Sequence, residues 1–407
     1  MTPKRFMLIA GEASGDMLAA ELVRELRAGI DRRNTYTADL QPLAADLAPR
    51  FFGAGGPRMA AAGVELAFDM TQHSVIGLSD VLKNYFKFKR LFDQLFTLAT
   101  QREPHAIICV DFSGFNRRFA AAIKKYVRTR RGTFNNWEPK IIQYISPQVW
   151  ASREGRAYQI ARDFDLLLSI FPFEKDWYVT RVPKLRVEFV GHPMIGRFVV
   201  GTRSTVSQDS TKKLRDGVEP VPTVLLLPGS RKSELQRHLP VILPSLKLIQ
   251  AKLPNAKAKM VLPNETLAQL AKSSGTDAKI QIGNLPQALA QADVAIASTG
   301  TVTMECAFFG VPTVTLYKTS WFTYEIARRI VTVKSLTMPN ILAGEEIYPE
   351  FVQGDATPEN ISHAALELLQ NESRRTKIKS QLAKIVSSLG EPGAAERAAT
   401  AILSLFQ

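Results

Sequence analysis

Three short stretches of this chain place polar side chains directly after apolar runs, where a strand gives way to a turn. The first is Gly11-Glu12-Ala13-Ser14-Gly15-Asp16, following "RFMLIA". Two glycines and a hydroxyl at a strand-to-helix turn suit a phosphate, because the free N–H groups of a helix start point outward there. Two carboxylates in the same turn repel that phosphate, so phosphate binding alone does not account for the loop. The second stretch, "TVLLLPGSRKSE", sets Gly229-Ser230-Arg231 at the end of a buried strand. A pyrophosphate there can take backbone N–H bonds, the Ser230 hydroxyl and the forked Arg231 guanidinium; a tight turn with a surface arginine has the same residues. The third, "ASTGTVTMEC", offers Ser298, Thr299, Gly300 and Thr301 at a helix start and Glu305 one turn later. That carboxylate can accept bonds from both hydroxyls of a ribose, or it is simply a helical glutamate behind a threonine cap. Neither Gly-x-Gly-x-x-Gly after the first strand nor a Gly-Lys-Ser/Thr phosphate loop is present, which argues against hydride transfer and ATP hydrolysis.

The segments around these stretches predict how they are held. "RFMLIAG", "HAIICVDF", "KIIQYIS", "DFDLLLSIF" and "LRVEFVG" read as strands, and "DMLAAELVRELRAGI" and "RRFAAAIKKYVRT" as helices. Short buried runs alternating with amphipathic helices give a parallel, doubly wound α/β sheet over residues 1–200. Periodicity fades over 201–221, an expected linker, and a second doubly wound domain is expected over 222–385. A Gly-Glu-Pro-Gly break at 390–393 precedes a last helix, so 386–407 forms a segment that can pack back on the N-terminal domain. Two such domains facing each other would make a cleft at the carboxyl ends of both sheets.

Composition narrows the class. The 407 residues are 45% hydrophobic and 22% charged, with a net charge of +14, of which +9 lies in residues 1–200. Such a surface favours an anionic partner: nucleic acid, phosphorylated substrate or anionic lipid. The basic run Arg117, Arg118, Lys124, Lys125, Arg128, Arg130 and Arg131 has no acidic residue within it, but no nucleic-acid motif accompanies it, so no nucleic acid is expected. No apolar run reaches the roughly 18 residues of a membrane span. The N-terminal apolar stretch is too short for a signal peptide, and Cys109 and Cys306 form no disulfide framework. A cytoplasmic location is expected.

Together the motifs resemble lipid A disaccharide synthase, an inverting glycosyltransferase with two Rossmann-like domains of the GT-B type. They run in order: "GEASGD" at 11–16, "GAGGPRM" at 53–59, "VDFSGFN" at 110–116 and "YISPQVWASREGR" at 144–156. "FPFEK" at 171–175, "GHPM" at 191–194, "LLPGSR" at 226–231, "TGTVTMEC" at 299–306 and "MPNILAGEEIYPEFVQ" at 338–353 follow. Departures are Ser113 where proline is usual, Ser152 where tryptophan is usual, and Ile76 and Asp80 where methionine and glutamate are usual. Residues 34–50 and 128–139 also look longer than the common pattern.

The resemblance implies transfer of 2,3-diacylglucosamine from its UDP derivative to 2,3-diacylglucosamine 1-phosphate, giving a β-1,6-linked disaccharide 1-phosphate and UDP. It implies no cofactor and no metal; the sequence has no His/Cys cluster. Gly229, Ser230, Arg231, Thr299, Gly300 and Thr301 would hold the pyrophosphate and Glu305 the ribose. Asn340 would close over the nucleotide, and Gln353 belongs to the same matched segment. Asp111 is the first choice for the base, with Asp16 and Glu12 second, against the alternative that Asp111 caps the helix near Asn116. Ser14, Gly15 and Trp150 would belong to the acceptor site, with Glu12 or Asp16 bonding sugar hydroxyls, and Arg153 and Arg156, behind Trp150, would take the 1-phosphate, against a solvated helix face. Over 80–98, "DVLKNYFKFKRLFDQLFTL" mixes basic and aromatic residues. Tyr85, Phe86, Phe88, Lys89 and Phe92 are the expected contacts with acyl chains and with an anionic membrane surface, the cytoplasmic face of the inner membrane; a core-facing stripe is the alternative. A homodimer is the candidate assembly. The rival enzyme is a UDP-N-acetylglucosamine 2-epimerase on the same architecture, whose substrate has no acyl chains.

Overall fold

The computed structural model of the chain describes residues 4–37, 49–73, 85–132, 134–198 and 221–406. It divides into two compact units, Met1–Gly196 with Leu389–Gln407, and Arg197–Ser388. The expected linker 201–221 lies, except for Val221, outside the described residues.

The first unit is built on β1 (Arg5–Ala10), β2 (Arg50–Gly55), β3 (Glu65–Asp69), β4 (Ala106–Val110), β5 (Lys140–Tyr144), β6 (Leu166–Ser169) and β7 (Arg186–Phe189). All pair in parallel, in the order β3-β2-β1-β4-β5-β6-β7. Its helices include α1 (Ala13–Thr37), α2 (Pro57–Ala61), α3 (Tyr85–Arg102), α4 (Ser113–Arg130), α5 (Arg156–Asp163) and α6 (Pro172–Arg181). Crossover helices cover both faces of a parallel sheet, so central strands lose the polar alternation of a half-exposed one. All five residues of β4 are buried. Ala10 pairs with Val110, so Gly11 and Asp111 leave the sheet side by side, between β1 and β4. This is where strand order reverses, the usual seat of a ligand in such sheets.

Asp16 shows what the opening loop does with one of its carboxylates. It is buried, and Oδ1 accepts the N–H groups of Gly56 at 2.8 Å and Met59 at 3.0 Å, while Oδ2 accepts that of Arg58 at 3.0 Å. These are the orphan donors at the start of α2. Asp16 is therefore a cap delivered from α1, and its reading as a base is corrected: both oxygens are already engaged.

The second unit is built on β8 (Thr223–Leu227), β9 (Lys257–Leu262), β10 (Lys279–Ile282), β11 (Val294–Ser298), β12 (Thr313–Tyr317) and β13 (Glu350–Val352). This sheet is again parallel, in the order β10-β9-β8-β11-β12-β13. Its helices are α7 (Lys232–Lys252), α8 (Glu265–Ser273), α9 (Leu285–Ala290), α10 (Val302–Phe308), α11 (Trp321–Ile330), α12 (Met338–Ala343), α13 (Pro358–Gln370) and α14 (Glu372–Ser388). Leu227 pairs with Ala297, which sets Gly229 beside Thr299 at the β8/β11 reversal. The last helix, α15 (Ala394–Leu403), belongs to the first unit and packs on α1. Arg397 fastens it there by donating to the Val190 carbonyl at 2.8 Å. Among the described residues no helix is long and apolar enough to cross a membrane.

Replacing Asp16 by alanine leaves three buried or half-buried donors without their charged acceptor. A loss of about 2–3 kcal/mol is expected, on the scale of charged hydrogen bonds and helix caps. Urea denaturation of the purified variant checks it; an unchanged midpoint would mean that α2 does not depend on this cap.

Candidate active site

At the end of β4 the backbone turns left-handed at two successive non-glycine residues, Asp111 (φ 50°) and Phe112 (φ 42°), and again at Ile145 (φ 70°) after β5. Conformations of this kind cost roughly 1–3 kcal/mol each unless the surroundings enforce them. Two side-chain amides do so. Asn116 Nδ2 donates to the Asp111 carbonyl at 2.8 Å, and Gln143 Nε2 donates to the same oxygen at 3.0 Å and to the Ile145 carbonyl at 3.1 Å. The Phe112 ring then lies over Gly11, where a Cβ would meet ring carbons at 2.4 Å. Only glycine lets the two loops close on each other.

The turn lifts Asp111 to the sheet edge. Burial raises its pKa, a bond from the Phe112 N–H draws it back, and among the described residues no cation pairs with it. Its side chain does not cap α4, whose start has no side-chain cap. A desolvated carboxyl without a counter-ion, at a switch point, has the properties of a general base. Beside it Ser14 is exposed and Glu12 half-buried. Gly15 is buried against the Val110 carbonyl and the Asp111 Cβ, so it lies under the loop and not in a binding wall, a correction to its expected role.

On the flank, Arg117, Arg118, Arg153 and Arg156 crowd together. Burial, then repulsion from the other three, lowers the pKa of Arg156; burial, then Arg118 and Arg153, does the same to Arg117. Asp163, which eases the strain on Arg117, is itself held by both ends of Arg162 at 2.7–2.8 Å. Mutual repulsion of this kind is what a multivalent anion would relieve. Arg153 and Arg156 are read from the sequence; Arg117 and Arg118 are missed as part of this group. Their signal was the Arg-Arg pair in the first turns of α4, a few residues after Asp111.

Trp150 does not line a binding site. It is buried, its Nε1 donates to Glu174 Oε1 at 3.0 Å, and its ring meets Phe173 edge-on at 4.9 Å. It anchors the loop carrying Arg153. Glu174 in turn is fully buried and pushed up to about 7 by desolvation, against bonds from Trp150, Phe171, Ser146 and Ile170.

In the second unit, Gly229 has φ 130°, and a Cβ there would sit 2.4 Å from Glu234. The Glu234 carboxylate accepts the N–H groups of Ser230 at 2.8 Å and Arg231 at 3.2 Å. The backbone donors expected to meet a pyrophosphate are thus engaged by a helix cap, which corrects that detail; the Ser230 hydroxyl is exposed, and the exposed Arg231 guanidinium pairs with Glu234 at 3.7 Å. Gly300 and Thr301 are exposed and Thr299 half-buried, and no side chain caps α10. With only seven residues, α10 offers local N–H groups and not a long dipole. Glu305 behind them is raised to about 7 by burial, with the charge of Arg197 pulling it back.

Three residues brace these loops. His238 is buried; its Nδ1 donates to the Pro228 carbonyl at 2.7 Å and its Nε2 accepts the Lys318 N–H at 3.1 Å, which joins the β8 and β12 loops. Burial lowers its pKa and keeps it neutral, as that pairing requires. Gln353 (φ 51°) clasps Thr319 through both amide atoms, at 2.9 and 3.3 Å. Asn340 is buried and spends all four hydrogen-bonding positions on Ile347, Tyr348 and Glu350. Closure of Asn340 over a nucleotide is therefore corrected, and Gln353 likewise serves the loop directly.

Along α3, Leu91, Leu95 and Ala99 are core residues, and Phe92 packs against Phe115 and Phe119 at 5.5 Å. Phe92 as an acyl contact is corrected. Phe86 is 82% exposed, Lys89 exposed and Phe88 half-buried. Phe86, Lys89 and Arg90 line an open groove of about 620 Å³ with Ala67, Phe68 and Leu98. The Tyr85 side chain and Leu82 lie outside the described residues. No three His, Cys, Asp or Glu side chains among the described residues converge as metal ligands do.

Two parallel doubly wound units, each carrying polar loops at its switch point, define the GT-B class of glycosyltransferases and related sugar-nucleotide enzymes. The fold matches a UDP-N-acetylglucosamine 2-epimerase from Methanocaldococcus jannaschii (TM-score 0.59, 10% identity, 98% of this chain and 99% of that one). It also matches the glycotransferase of kitacinnamycin (TM-score 0.54, 18% identity, 99% of each). The family model described as lipid-A-disaccharide synthetase covers residues 6–405. Relatives named lipid-A-disaccharide synthase include those of Trichlorobacter lovleyi, 35% identical over 100% of this chain and 98% of that protein, and Myxococcus xanthus, 33% identical over 99% and 98%. The chain belongs to the lipid-A-disaccharide synthase family, and its likeness to the epimerases is one of fold.

The Glu174 shift gives a pH signature. Its carboxyl moves from an ordinary 4.5 to about 7 on folding, so between those values the folded state keeps a proton that the unfolded state has lost. The stability this contributes is complete below about 4.5 and is lost as pH rises through 7. The melting temperature of the protein should thus fall between about pH 5 and pH 8, and Glu174→Gln should flatten that slope. An identical slope in the variant would place the proton elsewhere.

Proposed function

We propose that this chain transfers the 2,3-diacylglucosaminyl group of its UDP derivative to the 6-hydroxyl of 2,3-diacylglucosamine 1-phosphate, with inversion at C1 and no metal ion. The observation that carries this reading is the match to the synthase family across residues 6–405. The acceptor binds the first unit, its 1-phosphate on Arg153, Arg156, Arg117 and Arg118. Asp111 takes the 6-hydroxyl proton as that oxygen attacks C1 from the face opposite UDP; Glu12 is the second choice. The C1–O6 bond forms as the bond from C1 to the UDP oxygen breaks, and UDP leaves with the electron pair. Arg231, Ser230 and the 299–301 turn receive its charge, and Glu305 holds the ribose. The positive charge comes from side chains and N–H groups. The first unit meets the anionic surface of the inner membrane through Phe86, Phe88 and Lys89, so that lipid substrates enter from the bilayer.

Incubation with both acylated sugars tests this: release of UDP with a β-linked disaccharide, undiminished by a chelator, is expected. Conversion of UDP-N-acetylglucosamine by itself would favour the epimerase instead. Asp111→Asn keeps the side chain's shape and removes its basicity, so kcat should fall at least about 10²-fold with UDP affinity unchanged. Near-native turnover would exclude Asp111 as the base.

Glu305 adds a pH dependence to donor binding. Its ionised form accepts ribose hydroxyls best, so UDP affinity should rise with pH through about 7. Glu305→Gln should bind UDP about 1–3 kcal/mol more weakly at high pH, the scale of bonds to a charged group, and lose the pH dependence. Calorimetric titration at several pH values decides it.

A further inference from the structure

Helix α11 has no buried residue. It follows β12, and the loop between them is the one His238 and Gln353 brace against the donor loops. Its exposed side chains are large: Trp321 is 74% exposed and Phe322 66%, with Ile326 also exposed. At about 100° per residue, Arg328, Trp321, Arg329, Phe322 and Ile326 fall within one arc of about 160°. Every exposed residue of the helix lies in that arc, and Thr323, Tyr324, Ala327 and Ile330 on the other side are half-buried. Glu325 falls within the same arc but is mostly covered; it pairs with Arg328 at 2.9 Å and Arg329 at 3.7 Å and neutralises one of the two arginines. The helix therefore keeps a net positive charge, and exposed Lys334 follows it.

A helix held mainly at its back, with aromatic rings and guanidinium groups interleaved on its open face, is built for the headgroup layer of a bilayer. Rings sink to the acyl boundary while long basic side chains reach back to phosphates. We propose that α11 is a bilayer-docking helix of the second unit, separate from α3, that seats the donor loops at an anionic lipid surface. The charge sign favours anionic lipid over a neutral protein face. The proposal rests on the reading above for its purpose: a donor anchored by its acyl chains presents its nucleotide at the headgroup level, where loops adjoining α11 can take it.

The test uses the full chain and vesicles of phosphatidylcholine with phosphatidylglycerol, some brominated in their acyl chains, and no acylated sugar. Of the four tryptophans, Trp150 is buried and Trp137 and Trp177 are half-buried, so Trp321 is the natural reporter. Bromine should quench wild-type fluorescence, and Trp321→Phe should keep vesicle binding while losing most of the quenching. Trp321→Ser with Phe322→Ser should lower vesicle partition at least about tenfold, with UDP affinity intact. Arg329→Gln, which removes no ring, should weaken partition and its salt dependence more modestly. Equal quenching in wild type and Trp321→Phe, or unchanged partition in the double serine variant, overturns the proposal. So does sedimentation showing that the double variant splits a dimer while vesicle binding persists, since a second copy would then cover α11. A wild type that docks through Trp321 yet forms no disaccharide would sink the proposed reaction and leave this inference standing.

Discussion

A parallel sheet uses the backbone donors and acceptors of its central strands on neighbouring strands and buries both their faces, so it can present chemistry only where the strands end. In both units the two strands at the reversal of strand order, β1 with β4 and β8 with β11, run in register to that end. The residues that follow must turn outward, and their carbonyl and N–H groups lose their ladder partners together. Everything else about the candidate site follows from how those freed groups are satisfied.

The two units solve this in the same way, with buried side chains that reach across from a neighbouring element. Asn116 and Gln143 converge on the Asp111 carbonyl. Their own oxygens are buried without a partner, which shows that their donors are what the fold uses. In the second unit a neutral imidazole and a glutamine amide tie together the loops that follow β8, β12 and β13. Bracing of this kind lets the left-handed residues Asp111, Phe112 and Gln353 persist, since each side-chain bond offsets part of the backbone strain.

That economy explains which parts were legible in sequence. Apolar runs and helical periodicity mark strands buried on both faces, and the turns after "HAIICV" and "TVLLL" are readable as sites. The role of an individual polar residue is not, because residue type does not reveal whether its bonds are spent inside the loop. Asp16, Trp150, Asn340 and Gln353 all lie in site-like motifs and all turn out to hold the site's frame. On α3 the stripe of apolar residues was visible, but its division between core and surface was not. Phe92 and Phe86 lie six residues apart, and only packing against α4 separates the buried ring from the open one.

The role proposed for Asp111 as a base requires it to be kept apart from the cations of the first unit. A guanidinium in contact with Asp111 would lower its pKa and make it a poorer proton acceptor. Arg117 and Arg118 follow Asp111 by less than two helical turns, yet Arg117 turns away toward α5 and hydrogen-bonds Gln159 at 3.1 Å. The four arginines then repel one another, which the lowered pKa of Arg117 and Arg156 records. Under the proposed function, an acceptor phosphate would relieve that repulsion on binding. An acceptor without the phosphate would leave the repulsion in place, so on that proposal discrimination lies in the charge arrangement as well as in contact.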